Sequence, residues 1–63
     1  MNKLRFEYYQ DASGEWRWRL VARNGRIVAD SGEGYSSKAK CLRAINKLRD
    51  SFIEIFLAEV AEV

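Results

Sequence analysis

The side chains able to do chemistry in this sequence are few and poorly partnered. It has no histidine and one cysteine, Cys41. Without histidine the commonest general base is missing. A nucleophile would then be Cys41, a serine or a lysine, and each needs an activating partner that the sequence does not place beside it. Cys41 falls in the second turn of a predicted helix, on or near its apolar stripe, where a free thiol packs as a small hydrophobe. Ser36 and Ser37 precede that helix and read as caps. Asp30 falls opposite Arg19 in a predicted hairpin and reads as a cross-strand ion pair before it reads as a catalytic carboxylate. Four-ligand zinc sites need Cys and His in numbers this chain lacks. The expectation is a protein with no enzymatic activity, no cofactor and no metal.

Two further constellations bear on binding. Arg17, Arg19, Arg23 and Arg26 alternate onto one sheet face, with Arg5 and Tyr9 on the neighbouring strand. A basic sheet with a ring for stacking suits single-stranded nucleic acid, although Glu7 and Asp30 interrupt the field. The stretch Gly32-Glu33-Gly34-Tyr35-Ser36-Ser37-Lys38 leads into a helix N-terminus, where anions bind. It lacks the glycine spacing of a phosphate loop, and Glu33 repels an anion. Loop geometry and capping are the sounder reading, with Tyr35 packed against the sheet end.

These residues depend on a small set of elements. Asn24-Gly25 between two alternating runs predicts a hairpin with a type I′ turn, which needs φ > 0 at both positions. That turn sets Ala22 opposite Ile27, Val21 opposite Val28, Leu20 opposite Ala29 and Arg19 opposite Asp30. Alternation then puts Trp16, Trp18, Leu20, Ala22, Ile27 and Ala29 on an apolar face. Arg17, Arg19, Val21, Arg23, Arg26, Val28 and Asp30 take the other. Leu4, Phe6 and Tyr8 form the inward set of a preceding strand, joined through the turn residues Gln10 to Gly14. A helix capped by Ser36 or Ser37 runs from Lys38 through Arg49. Its stripe of Cys41, Leu42, Ile45, Leu48 and Phe52 covers the tryptophan face. Lys40, Arg43, Lys47 and Asp50 fall outside.

The expected fold is therefore α+β, a three-stranded antiparallel meander followed by one helix on its apolar face (βββα) and a short C-terminal tail. The tail admits two readings. The helix continues to about residue 57, or Ala58 to Val63 form a short strand. Either way, Phe52 to Leu57 are more apolar than one helix on three strands needs, and surfaces of that kind mark interfaces. Phe52, Ile55, Phe56 and Val60 are the candidate dimer contacts.

Sixty-three residues allow a single domain, 1–63. At that size a lone core is marginal and is usually supplemented by disulfides, a metal or a partner chain. One cysteine excludes an intrachain disulfide, which leaves self-association. Residues 1–49 carry eleven basic and five acidic side chains, a net of +6, and residues 50–63 carry four acidic and no basic ones. A basic body and an acidic tail point to contact between them, within or between chains. The N-terminal residues lack the apolar run of a signal peptide, and no stretch is long enough to span a membrane. A cytoplasmic protein is expected.

Taken together, Phe6-Glu7-Tyr8-Tyr9-Gln10-Asp11, the run Gly14 to Ala22, Asn24-Gly25 and the run Gly32 to Lys38 resemble the YegP-like family of small uncharacterised bacterial and archaeal proteins. The resemblance covers roughly residues 4–48. It implies a strand–strand–strand–helix unit in one copy, pairing into a homodimer that resembles the two-copy members. It brings no established activity and no catalytic residues. Phe52 to Leu57 depart from the family's polar segment after the helix. The function expected is a non-enzymatic module acting through protein–protein association, with weak single-strand binding by the arginine face as the alternative.

Overall fold

The structure, a computed structural model, describes residues 4–52 and 55–63. The tail readings that fall on Ile53 and Glu54, and the N-terminal reading on residues 1–3, lie outside the described residues. Strands β1 (Leu4–Gln10), β2 (Trp16–Ala22) and β3 (Ile27–Asp30) are followed by helix α1 (Lys38–Ser51) and strand β4 (Glu59–Glu62). The sheet order is β3-β2-β1-β4, with β1–β2 and β2–β3 antiparallel and β1–β4 parallel. The α+β class and the meander followed by a helix hold. The sheet is four-stranded and mixed, because the tail returns as a strand.

The return has a simple cause. Beyond α1 the chain turns at residues 55–57, where Ile55 and Ala58 bury their side chains in the core. Arg49 holds this turn by donating from Nη2 to the Phe56 carbonyl at 3.2 Å. The next residues lie beside the start of β1, with Arg5 paired to Glu59 and Phe6 to Val60. Alternation puts Val60 on the core face, and the Val63 N–H donates to the Tyr8 carbonyl at 2.9 Å. The helix ends at Ser51, with Phe52 extended at its C-cap, so the reading that continues it to residue 57 is corrected.

The core is built as the alternation requires. Phe6, Trp18 and Leu20 from the sheet meet Cys41 and Ile45 from α1, with Ile55 and Ala58 closing one end. Phe6 and Trp18 pack edge to face, with centroids 5.5 Å apart, the geometry ring quadrupoles favour. Ser37 caps the helix, its hydroxyl accepting from the Lys40 N–H at 3.2 Å. Tyr35 exchanges two backbone hydrogen bonds of 2.8 Å with Trp16 and packs on the core. Gly34 passes so close to Glu15 that an added Cβ would sit 2.5 Å from a carboxylate oxygen.

The β2–β3 hairpin differs from the expected turn. The Gly25 N–H donates to the Ala22 carbonyl and the Ala22 N–H to the Arg26 carbonyl, closing a three-residue loop, Arg23-Asn24-Gly25. Only Gly25 there has positive φ, +88°, so the loop carries a glycine bulge and is not the type I′ turn. Val21 consequently pairs with Ile27 instead of Val28. A second irregularity between Leu20 and Val21 restores the expected pairs Leu20–Ala29 and Arg19–Asp30. Ile27, expected in the core, shares the outer face with Val21 and is 58% exposed.

Truncating Ile45 to Ala removes a fully buried side chain and should cost about 2–5 kcal/mol. That lowers the thermal midpoint by about 10 °C or more in a domain of this size. Val63→Ala, at an exposed position, should stay within about 0.5 kcal/mol of wild type. Calorimetry on both variants checks the pair.

Candidate functional site

The outer sheet face is a network of paired charges. Glu7 lies opposite Arg19 across β1–β2 and two residues along from Arg5. Its Oε1 accepts from Arg19 Nε at 2.8 Å, and its Oε2 accepts from Arg5 Nε, also at 2.8 Å. The carboxylate is nearly enclosed, the residue being 9% exposed. The hydrogen bonds from Arg19 and then Arg5 hold its pKa below the ordinary value, against the opposing effect of burial. Arg19 also lies 5.0 Å over the Tyr9 ring, a cation–π contact.

A second pairing anchors the β1–β2 loop. Asp11 accepts from the Ser13 hydroxyl, from the backbone N–H groups of Ser13 and Glu15, and from Arg17 Nε at 2.6 Å. These bonds, the Ser13 hydroxyl and Arg17 foremost, hold the Asp11 carboxyl far below the usual carboxylate range. Arg17 is stabilised as a cation in return.

The six residues of the expected nucleic-acid face are thus divided. Arg5, Arg17, Arg19 and Tyr9 are brought together, but as partners of Glu7, Asp11 and one another. Arg23 and Arg26 lie apart in the exposed β2–β3 loop. The expected Arg19–Asp30 ion pair does not form, although the two residues face each other, because Arg19 turns to Glu7. The organising acids, Glu7 and Asp11, were legible only through the β1–β2 register. The five-residue loop hid that register, having no turn motif as definite as Asn-Gly.

Basic body and acidic tail do meet within the chain. Lys38 Nζ donates to Glu62 Oε1 at 2.7 Å, which raises the lysine pKa, and lies 5.7 Å from the Tyr8 and Trp16 rings. Cys41 is fully buried, and burial pushes its thiol pKa up, the opposite of an activated nucleophile. Among the described residues no helix is long and apolar enough to cross a membrane.

The candidate dimer contacts also divide. Ile55 is 7% exposed and belongs to the chain's own core, and Val60 packs against it. Phe52 and Phe56, 52% and 53% exposed, face outward. Phe52 stands on an apolar groove of about 300 Å³. The sheet contributes Phe6, Trp18, Leu20 and Ala29 to it, and the chain from the end of α1 contributes Leu48, Phe52 and Ile55. The groove exists because α1 lies over β1 and β2 while β3 is exposed along its whole length. The Trp18 Nε1–H is buried without an acceptor, which costs about 1–3 kcal/mol.

Comparison with known proteins places this geometry among small proteins of unassigned role. Residues 11–51 match the family described as "Domain of unknown function (DUF1508)". A UPF0339 protein of Neisseria meningitidis serogroup B is 52% identical over 46 residues, 73% of this chain and 80% of that protein. A UPF0339 protein of Treponema denticola is 43% identical over 56 residues, 89% of this chain and 95% of that protein. The solution structure of a protein from Haloferax volcanii superimposes with a TM-score of 0.71 at 52% identity, covering 79% of this chain and 83% of that one.

The Glu7 network makes stability depend on pH in a defined direction. A carboxylate whose folded pKa lies below its unfolded value stabilises the fold above the unfolded value, here 4.5, and loses that contribution as pH falls through the folded value. Glu7→Gln should therefore cost about 1–3 kcal/mol at pH 7 and less at pH 3. Urea unfolding of both proteins across that range checks the convergence.

Proposed function

The chain belongs to the DUF1508 family, in keeping with its YegP-like residues, and we propose that it acts in the cytoplasm as a non-enzymatic module that pairs with a second copy of itself. The observation that carries this reading is the apolar groove with the half-exposed Phe52 on its wall. A groove and an adjacent projecting ring suit a two-fold interface, in which one patch must complement itself. A partner that brought an acceptor to Trp18 Nε1 would relieve its unmade hydrogen bond.

Among the routes to a dimer, the groove is favoured over the sheet edges. The β3 edge is short and carries an extra residue, Val28, opposite Leu20 and Val21 of β2, and irregular edges resist pairing. An antiparallel β4–β4 pair that opposed Val60 to Ala61 would set Glu59 against Glu62, and like charges directly opposite are unfavourable. A non-enzymatic role draws support from the buried Cys41, from Ser37 acting as a cap, and from Glu7 and Asp11 held in ion pairs. Single-strand binding by the sheet face draws none, because Arg5, Arg17 and Arg19 already have acidic partners and Arg19 lies over Tyr9.

Sedimentation equilibrium at micromolar concentration should return the mass of two chains. A mass of 7.3 kDa, one chain, overturns the reading. Phe52→Asp should dissociate the dimer, since one buried unpaired carboxylate at each of two related positions exceeds what a small interface tolerates. At this size folding and association are linked, so the variant should also melt lower, with a midpoint that no longer depends on protein concentration.

A further inference from the structure

Six cations have no ion-pair partner among the described residues: Arg23 and Arg26 in the β2–β3 loop, and Lys40, Arg43, Lys47 and Arg49 on α1. Arg49 turns to the Asn46 side chain and the Phe56 carbonyl, and Lys40, Arg43 and Lys47 form a row. They stand at spacings of three and four residues, all exposed, and cover about 10 Å of one helix face at 1.5 Å per residue. Asn46 lies beside them, and Arg43, Asn46, Lys47 and Asp50 line a shallow depression of about 290 Å³. Lys40 Nζ donates to the Ser36 hydroxyl at 3.0 Å, which holds its charge over the first turn. Asp50, the only acid in the helix, ends the row.

We infer that this row docks on the phosphate backbone of a nucleic-acid duplex. Lys, Arg and Asn are the side chains that contact phosphates, and such contacts need no base recognition. The outward residues Ala39, Lys40, Arg43, Asn46, Lys47 and Asp50 include no ring, so single-stranded bases would find nothing to stack on. They include no large apolar side chain either, and protein interfaces are anchored by buried aromatic and apolar groups. A membrane-surface helix must insert its apolar face, whereas Cys41 and Ile45 of α1 are buried against the sheet. Phosphate alone asks for spaced positive charge without an anchor. Phe52 and the groove have no part in this, so the inference stands or falls separately from self-association.

The test is fluorescence anisotropy of a labelled DNA duplex of ~20 base pairs across a salt series, where each phosphate contact contributes about −0.9 to the slope of log K against log salt. Wild type should bind at low salt with a slope near −2.7 for each engaged copy. Lys47→Gln should make that slope shallower by about 0.9. The triple variant Lys40→Gln, Arg43→Gln, Lys47→Gln should lose binding while keeping the wild-type circular dichroism spectrum, as exposed substitutions do. Arg17→Gln with Arg23→Gln should bind as wild type does. The inference is overturned if wild type shows no binding at low salt, or if the triple variant binds unchanged. It is overturned equally if the sheet variant loses binding, or if polyglutamate or phosphatidylserine vesicles bind more tightly than the duplex.

Discussion

The contact of Cys41 and Ile45 with Phe6, Trp18 and Leu20 is the one on which the rest of the molecule depends. Each fully buried apolar side chain of this kind contributes about 1.5–3 kcal/mol, and a 63-residue chain has few of them. The helix can make this contact only if Ser37 starts it in the right place and Tyr35 fixes the chain against Trp16. The packing then directs the C-terminal segment. Once α1 lies across β1 and β2, its end stands near the start of β1, and Ile55 and Ala58 drop into the remaining gap. β4 follows from that placement, and Lys38–Glu62 ties the first turn of the helix to the last strand.

The outer sheet face obeys a different rule. It has no covering layer, so its residues settle their charges among themselves. Glu7 serves two arginines and Asp11 serves a third. Both acids are drawn toward ionisation by these bonds, and Glu7 is desolvated enough for the pairing to matter more than an exposed surface pair would. A face that reads as basic from its arginines is therefore close to neutral in the fold. The cations left in a row are the ones that no sheet acid can reach, on the far side of the helix.

Much of the framework was legible because it rests on local rules. Alternation assigned Phe6, Trp18 and Leu20 to the core, and helical spacing assigned Cys41 and Ile45 opposite them. The pairs Arg19–Asp30 and Leu20–Ala29 came correctly from the Asn24-Gly25 turn although its type did not, because a second irregularity compensates the first. Between those two compensating shifts lies Ile27, whose face was misjudged. The parallel pairing of β1 with β4 joins residues more than fifty positions apart, and no local pattern encodes such a partner. The same holds for the site. Arginine positions could be read by alternation, but their neutralisation required the β1–β2 register, and the groove required knowing that α1 leaves β3 uncovered.

The off-centre seat of the helix shapes the outward surface beside it. A single 14-residue helix cannot cover four strands, because its diameter of about 10 Å spans roughly two strands at about 4.8 Å each. The strands it covers are β1 and β2, where the large rings are, so β3 is left bare and the groove opens beside Phe52. The packing of Cys41 and Ile45 on the sheet turns Lys40, Arg43 and Lys47 outward, and Glu7 and Asp11 lie on the opposite face of the sheet. A longer or second helix over β3 would have closed the groove. The apolar groove is thus the consequence of a sheet too wide to be wrapped by the element that closes it, and the cationic row is the face that this element turns to solvent.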